Sequence, residues 1–436
     1  MPESRRDAGL ERVVTPWSLA ASIFNTVVGA GIFAVPAALA ASAGVYAPVA
    51  FLLCGVGMGA VAICFAEGGS RIPTSGGPYG YIQAAFGPLP GYMGGMMLVI
   101  SDLLACAGIA AALADTAVSL LPGAFRAAAH AAVIIGVLGG TALVNIGGVG
   151  LATRLVNATA AGKLIPLAIF IVAGTGALHG AKFFEATAPH SSELGRAVIL
   201  ALFAFTGSEV PLCASGEIAQ PTRTIPRALA LAMVSILLLY VAIQIITQGI
   251  LGSALAYATA PLADAMAAIH PALRFLMLIG AAVSMFGYIG SDILGTPRVL
   301  FAFARDGYLP AVLGRVHPNS RVPHIAILCY AALAIGLAAT GTFAELAVLS
   351  TLAAAVLYIL ACAAAWRLAR RGVALAGAPL NFKWLGGAVI TGIGSMVVLI
   401  VVAARIEILG LLALLGVSML AYFWLRPRNP ALARAR

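Results

Sequence analysis

Charged residues are scarce in this 436-residue sequence: Asp, Glu, Lys and Arg make up 9% of it, against 62% hydrophobic residues. A soluble domain usually gives about a quarter of its residues to charge, so a water-soluble globular chain is excluded. Long polar stretches are missing too, and the connections between apolar runs leave no room for a soluble domain. Cysteine is sparse at six residues, and all six lie within apolar runs without a CxxC pair or a neighbouring histidine. That leaves packing as their role and excludes a zinc or dithiol motif. The six histidines fall mostly in loops and at segment ends, without metal-ligand spacing. No nucleophile–base pair, metal cluster or phosphate loop is present, so neither an enzyme nor a cofactor is expected.

What is abundant is apolar sequence in lengths of about 20 residues, enough to cross a bilayer. Twelve such runs begin near Trp17, Gly44, Gly91, Ala127, Ala152, Gly195, Ala228, Pro271, Pro323, Glu345, Gly386 and Glu407. The first is too long, and lacks the cleavage pattern, for a removable signal peptide. The net charge of +10 follows topology. With the N-terminus inside, basic clusters such as Arg5/Arg6/Arg12, Arg367/Arg370/Arg371 and Arg426/Arg428 fall on the cytoplasmic side. The other side receives the scattered Arg126, Lys182, Arg196, Arg274 and Arg405. This bias predicts a multi-pass protein of the plasma (inner) membrane with both termini cytoplasmic. The lipid bilayer is its partner, and nucleic acid is not.

Two of the runs are built to come apart. The first contains "VGAGIFAVP" (Val28–Pro36), and the sixth reads "VILALFAFTGSEVPLCASGEIAQP" (Val198–Pro221), interrupted by Thr206, Gly207, Ser208 and Glu209 ahead of Pro211. Unwound backbone at membrane depth is tolerated only where protein buries it or a cavity hydrates it. Paired breaks five segments apart point to an inverted-repeat transporter with its substrate site at the midplane. A single membrane domain (1–436) is expected, with a first repeat over 17–176, a second over 195–367, and helices eleven and twelve over 386–425. The amides of Gly29, Ala30 and Gly31 at the start of a half-helix suit a carboxylate. The carbonyls of Val27, Phe203, Ala204 and Thr206 suit an ammonium. Together they describe the head group of an α-amino acid. Glycine at tight helix contacts and proline at kinks are the competing account of each break.

The chain resembles the amino acid–polyamine–organocation (APC) transporter superfamily over nearly its whole length. The likeness is carried by "VGAGIFAVPAALA", by "EGGSRIPTSGGPYGYIQAAFGPLPGYMGG" (Glu67–Gly95), by "FAFTGSEVPLCASGEIAQPTRTIPRAL" and by "PRVLFAFARDGYLP" (Pro297–Pro310), in that order. It implies an all-α membrane protein of twelve transmembrane helices. These form a five-plus-five inverted repeat with helices one and six discontinuous. It also implies transport of an amino acid or amine, by a monomer or homodimer.

Lys163 lies deep in the fifth run, where an ionisable group is costly and marks function, snorkelling to an interface being the alternative. The resemblance sets it where sodium-coupled relatives hold a sodium ion. Sodium-independent transport is therefore expected, by exchange or with protons as the coupled ion. Glu209 in the sixth-helix gap can hold the break open, carry a proton or face the substrate. Phe203 resembles the family's lid over the substrate, with core packing as its rival. Asp292 on the eighth helix lands where an arginine/agmatine antiporter of this family has a substrate-lining aromatic, and Asp102 is a second intramembrane acid. Either meets a cationic side chain, which leans the substrate towards cationic amino acids, or Asp292 pairs internally with Lys163 or Arg298. The candidate substrate residues are thus Thr26, Val27, Gly29, Ala30, Gly31, Phe203, Ala204, Thr206 and Asp292, with Lys163 and Glu209 for coupling or gating. A polyamine or amine transporter and a transport-dead amino acid sensor are the alternative functions.

Overall fold

A computed structural model describes residues 12–118, 122–184, 194–340, 342–375 and 377–425. The terminal arginines Arg5, Arg6, Arg426, Arg428, Arg434 and Arg436 lie outside the described residues. Helix α1 (Pro16–Val27) starts at a cap. Thr15 accepts from the Ser18 amide at 3.3 Å, and Pro16 takes a first-turn position where a missing N–H costs nothing. The helix stops when Val28 leaves helical geometry (φ −81°, ψ 68°) and the Gly29 amide folds back onto Val27 O at 2.9 Å. It resumes as α2 (Gly31–Ala43). Gly44, at φ 53°, ends α2, and a short turn leads into α3 (Ala47–Arg71). Then follow α4 (Pro78–Phe86), α5 (Pro88–Val118), α6 (Gly123–Ile146), α7 (Val149–Gly176) and the brief α8 (Gly180–Phe183).

The sixth apolar run divides in the same manner as the first. Helix α9 (Leu194–Phe205) gives way to an open segment in which Gly207 adopts φ +108°, followed by a 3-10 stretch, Pro211–Glu217. An added Cβ on Gly207 would sit 3.1 Å from Thr26 O, so glycine there serves both the backbone angle and the contact with α1. The chain continues through α10 (Pro221–Leu251), α11 (Pro261–Ala267), α12 (Pro271–Gly295) and α13 (Pro297–Arg305). It ends with α14 (His324–Ala338), α15 (Phe343–Arg370), α16 (Leu385–Val402) and α17 (Arg405–Leu425).

Among the described residues, nine helical stretches are long and apolar enough to cross a membrane. Large apolar side chains such as Leu238, Ile390, Val401 and Leu420 are exposed on them, which suits contact with lipid rather than water. Exposed Trp17, Trp384 and Trp424 sit at helix ends, the places an aromatic belt occupies. This is a multi-pass, nearly all-helical membrane protein.

Two backbone ties hold the broken segments together at one end. Val14 N donates to Glu217 O and Ala219 N to Val14 O, each at 3.0 Å, so the entry to α1 is stitched to the exit of the 3-10 stretch. The connection after α3 lies over the same stretch, with Gly76 N on Cys213 O at 2.9 Å. Two ion pairs are buried within the protein. Arg298 and Glu217 approach to 3.3 Å with both side chains fully buried, and Arg71 meets Glu67 at 2.7 Å. Arg71 also straps the connection between α15 and α16 to the end of α3, donating to Val373 O at 3.0 Å and Asn381 Oδ1 at 2.6 Å. Asp115 is largely exposed, 3.2 Å from His130 Nε2. Of the cysteines, Cys329 is exposed and the other five are buried, all free.

Candidate functional site

The two breaks face each other across one small cavity. Its walls are Thr26, Val27, Gly29, Ala30 and Gly31 from the α1–α2 break, Phe203 and Thr206 from the end of α9, Ile109 from α5 and Tyr288 from α12. The cavity volume is about 10 Å³, room for roughly one water. At the start of α2 the amides of Ala30, Gly31 and Ile32 donate to no acceptor among the described residues, and of these residues Ala30 and Gly31 line the cavity. Orphan donors of this kind, backed by a helix dipole, form an anion-binding end.

The carbonyl side is partly engaged. Tyr240 Oη reaches Val27 O at 2.9 Å and Ala204 O at 2.8 Å, and its single hydrogen can serve one of them at a time. Thr206 Oγ1 donates to Phe203 O at 2.8 Å. Thr26 turns its hydroxyl onto its own helix, at Ser22 O and Ile23 O. Ala204 does not line the cavity. Its backbone lies against Gly31, where an added Cβ would fall 2.9 Å from Ala204 Cα. Gly31 therefore admits a close helix contact as well as opening the amides. Phe203 is buried and packs edge-on against Phe343 at 5.9 Å between ring centroids, so it combines the cavity wall with core packing.

Lys163 is fully buried on α7 and points at the break. Its Nζ donates to Val28 O at 2.6 Å, Asn25 O at 3.0 Å and Ser284 O at 3.4 Å. Ser284 Oγ also reaches Val28 O at 2.7 Å and Gly29 O at 3.0 Å. The Lys163 amino group thus joins α1, α7 and α12 through carbonyl oxygens. Glu209 is buried in the second break. Its Oε1 accepts from Tyr358 Oη at 2.8 Å and its Oε2 from the Gly207 amide at 3.2 Å. It braces the open backbone and does not line the cavity.

Asp292 stands apart from these cavity walls. It is fully buried on α12, but it lies outside the cavity, and the residue that α12 contributes is Tyr288, one turn earlier. Neither internal partner expected for it is observed, because Lys163 is held by carbonyls and Arg298 by Glu217. Asp292 Oδ2 accepts instead from Tyr330 Oη at 2.6 Å. Its Oδ1 shares the Thr296 hydroxyl with Asp102 Oδ2, at 3.0 and 2.9 Å. Asp292 is thus tied to α14 through Tyr330, and both acids share the Thr296 hydroxyl at the end of α12.

Sequence reasoning missed Ile109, Tyr288, Tyr240 and Ser284. An isoleucine or tyrosine inside an apolar run carries no signal that separates cavity wall from core. Asn25, a fully buried amide in the first run, did carry one, since polar side chains in a membrane helix face protein or a cavity. No group of three or more His, Cys, Asp or Glu residues that could hold a metal is present among the described residues.

Comparison with known proteins agrees with this architecture. A family model described as "Amino acid permease" matches residues 14–423. A transporter of Mycobacterium tuberculosis, strain H37Rv, named without a substrate, is 34% identical over 355 residues, covering 78% of this chain and 77% of the relative. The serine/threonine exchanger of Bacillus subtilis is 29% identical over 381 residues, covering 84% and 85%. The methylthioribose transporter of the same organism is 27% identical over 375 residues, covering 80% of each.

Proposed function

The chain belongs to the amino acid permease family, within the APC superfamily, and from that premise we propose that it is a sodium-independent secondary transporter of amino acids. The observation that carries the proposal is the cavity between the paired breaks, where the free amides of Ala30, Gly31 and Ile32 begin α2. A carboxylate docks on those amides, and the ammonium of the same molecule takes carbonyls of the opposed breaks. Lys163 occupies the place of a coupling cation with a covalently attached one, which removes the need for sodium. Coupling then rests on exchange of substrates or on protons.

The helix count of this reading is twelve. The stretch Gly31–Arg71 divides at Gly44 into two crossings, and the broken α9 segment and the shorter apolar helix α14 supply two more. Helices one to five (17–176) and six to ten (195–367) form the two inverted repeats, and 386–425 supplies the last pair. Both termini lie on the cytoplasmic side.

Among the described residues the cavity is lined by uncharged side chains, while Asp292 accepts from Tyr330 and Thr296, and this favours a neutral substrate over the cationic one. A small uncharged side chain fits better against Ile109, Phe203 and Tyr288, and one relative is named as a serine/threonine exchanger. A second reading is favoured by the other named relative, whose methylthioribose lacks both amine and carboxylate. A thermal-shift screen of the twenty amino acids, their decarboxylated amines, polyamines and methylthioribose separates these readings. Stabilisation by small neutral amino acids and not by their amines is expected. A response to amines or to methylthioribose alone would replace the amino acid reading.

Two substitutions sharpen this. Tyr288→Ala enlarges the side-chain end of the cavity, so affinity for leucine or phenylalanine relative to serine should rise about tenfold, the order of one or two methylenes' worth of discrimination. An unchanged ratio in the same binding assay would remove Tyr288 from the substrate pocket. Asp292→Asn faces the Tyr330 donor with a changed acceptor set and should lower stability by about 1–3 kcal/mol. Cationic and neutral ligands should be affected alike. Selective loss of arginine or lysine binding would return Asp292 to the substrate.

A further inference from the structure

A second cavity, of about 20 Å³, lies beyond the first, towards the Val14 end of α1. Ser18, Leu19 and Ser22 of α1, Thr153 and Val156 of α7, and Ser291 of α12 are among its walls. Between the two cavities, on α1, stands Asn25. Ser22 one turn before it lines the second cavity, and Thr26 directly after it lines the first.

The Asn25 side chain fills the junction of three helices. Its Nδ2 lies 2.9 Å from Thr159 Oγ1, 3.0 Å from Gly287 O, 3.2 Å from Ser291 Oγ and 3.3 Å from Val156 O. Two amide hydrogens thus meet acceptors on both α7 and α12, while Oδ1 is buried without a partner. The side chain fits because position 287 is glycine. A Cβ there would stand 2.5 Å from Asn25 Oδ1 and 2.9 Å from Thr159 Oγ1. The carbonyl of the same asparagine accepts from Lys163, so one residue ties α1 to its neighbours through side chain and backbone together.

We infer that Asn25, seated against Gly287, is a positioning residue that latches α1 onto α7 and α12 and closes the passage between the substrate cavity and the second cavity. The inference rests on the transporter reading for what passes. The contact itself is fixed by geometry. When the amide leaves the Gly287 notch, the bonds to α7 and α12 break together and Thr26, at the wall of the first cavity, becomes reachable from the second cavity. The unpaired Oδ1 keeps the closed form from being over-stabilised, because an amide that leaves half its capacity unused gives up less on opening.

The test needs no substrate, so its result stands apart from whether amino acids are carried. In full-length protein reconstituted in liposomes, with Cys329→Ala removing the exposed thiol, Thr26→Cys at the first cavity's wall reports opening of the passage by its rate of reaction with a membrane-impermeant thiol reagent. Asn25→Ala should raise that rate about tenfold, the effect of one or two lost hydrogen bonds on a two-state opening. Gly287→Ala should raise it similarly by expelling the amide, and adding it to Asn25→Ala should change nothing further. A merely structural asparagine would give additive effects. Additive rates, or an unchanged rate in a folded Asn25→Ala protein, would overturn the latch. If Asn25→Ala does not fold, Ser291→Ala removes one acceptor alone. It should still raise labelling, and no rise there has the same force.

Discussion

Lys163→Ala should reduce substrate exchange by at least about a hundredfold. The ammonium is the shared donor of three carbonyls, those of Val28 and Asn25 on α1 and of Ser284 on α12. Hydrogen bonds from a charged group contribute about 1.5–3 kcal/mol each, and about 2.7 kcal/mol is already two decades in an equilibrium. Truncation also leaves the carbonyls facing a void between α1, α7 and α12. The break beside Gly29–Gly31 then loses the contact that fixes it, and the amides of Ala30 and Gly31 no longer hold their aim. The check is initial-rate exchange in proteoliposomes at matched protein density, with the melting temperature measured alongside. Near-normal exchange by a well-folded Lys163→Ala protein would show that the lysine is packing alone.

Gly31→Leu should eliminate substrate binding, and for two reasons that act together. Its Cβ alone would stand 2.9 Å from Ala204 Cα and 3.0 Å from Ala204 Cβ, so α2 and α9 must separate. The remaining side chain would then cover the amides at the start of α2. Overpacking of this sort costs typically about 1–3 kcal/mol, so a lower melting temperature is expected as well as lost binding. Isothermal binding of the amino acid identified by thermal shift is the measurement. Wild-type affinity in Gly31→Leu would mean that the head group docks away from the α1–α2 break. Gly29→Ala is the milder companion: its Cβ would meet the movable ring of Tyr288 at 3.1 Å, and binding should weaken without being lost.

Much of this molecule could be read from its sequence because lipid makes backbone disorder expensive. Gly29 and Gly31, or Thr206 through Pro211, inside otherwise apolar runs fall where α1 and α9 end, whereas α2 runs on through Pro36; unwound backbone at that depth needs protein or a cavity around it. Lys163 is legible on the same ground, and its carbonyl partners follow from the break beside it. Side-chain direction was not legible. Asp292 and Tyr288 are one helical turn apart on α12, and nothing in the spelling of "GYIGSDILGTP" says that the aromatic faces the cavity while the acid turns to Tyr330 and Thr296. The deep burial of Arg298 and Glu217 was equally hidden. The two partners stand 81 residues apart in sequence, so no local spacing announces the pair. Gly287 is a plain glycine in the chain and acquires meaning only opposite Asn25.

The central claim, amino acid transport that Lys163 frees from sodium, meets its most direct test in counterflow. Purified protein is reconstituted into liposomes loaded with the unlabelled amino acid that gives the largest thermal shift. Uptake of the labelled compound is then followed in sodium-free potassium buffer and in sodium buffer. Equal, saturable uptake in the two buffers, absent from empty liposomes and from Lys163→Ala, is the predicted result. Uptake that appears only when sodium is added would contradict it.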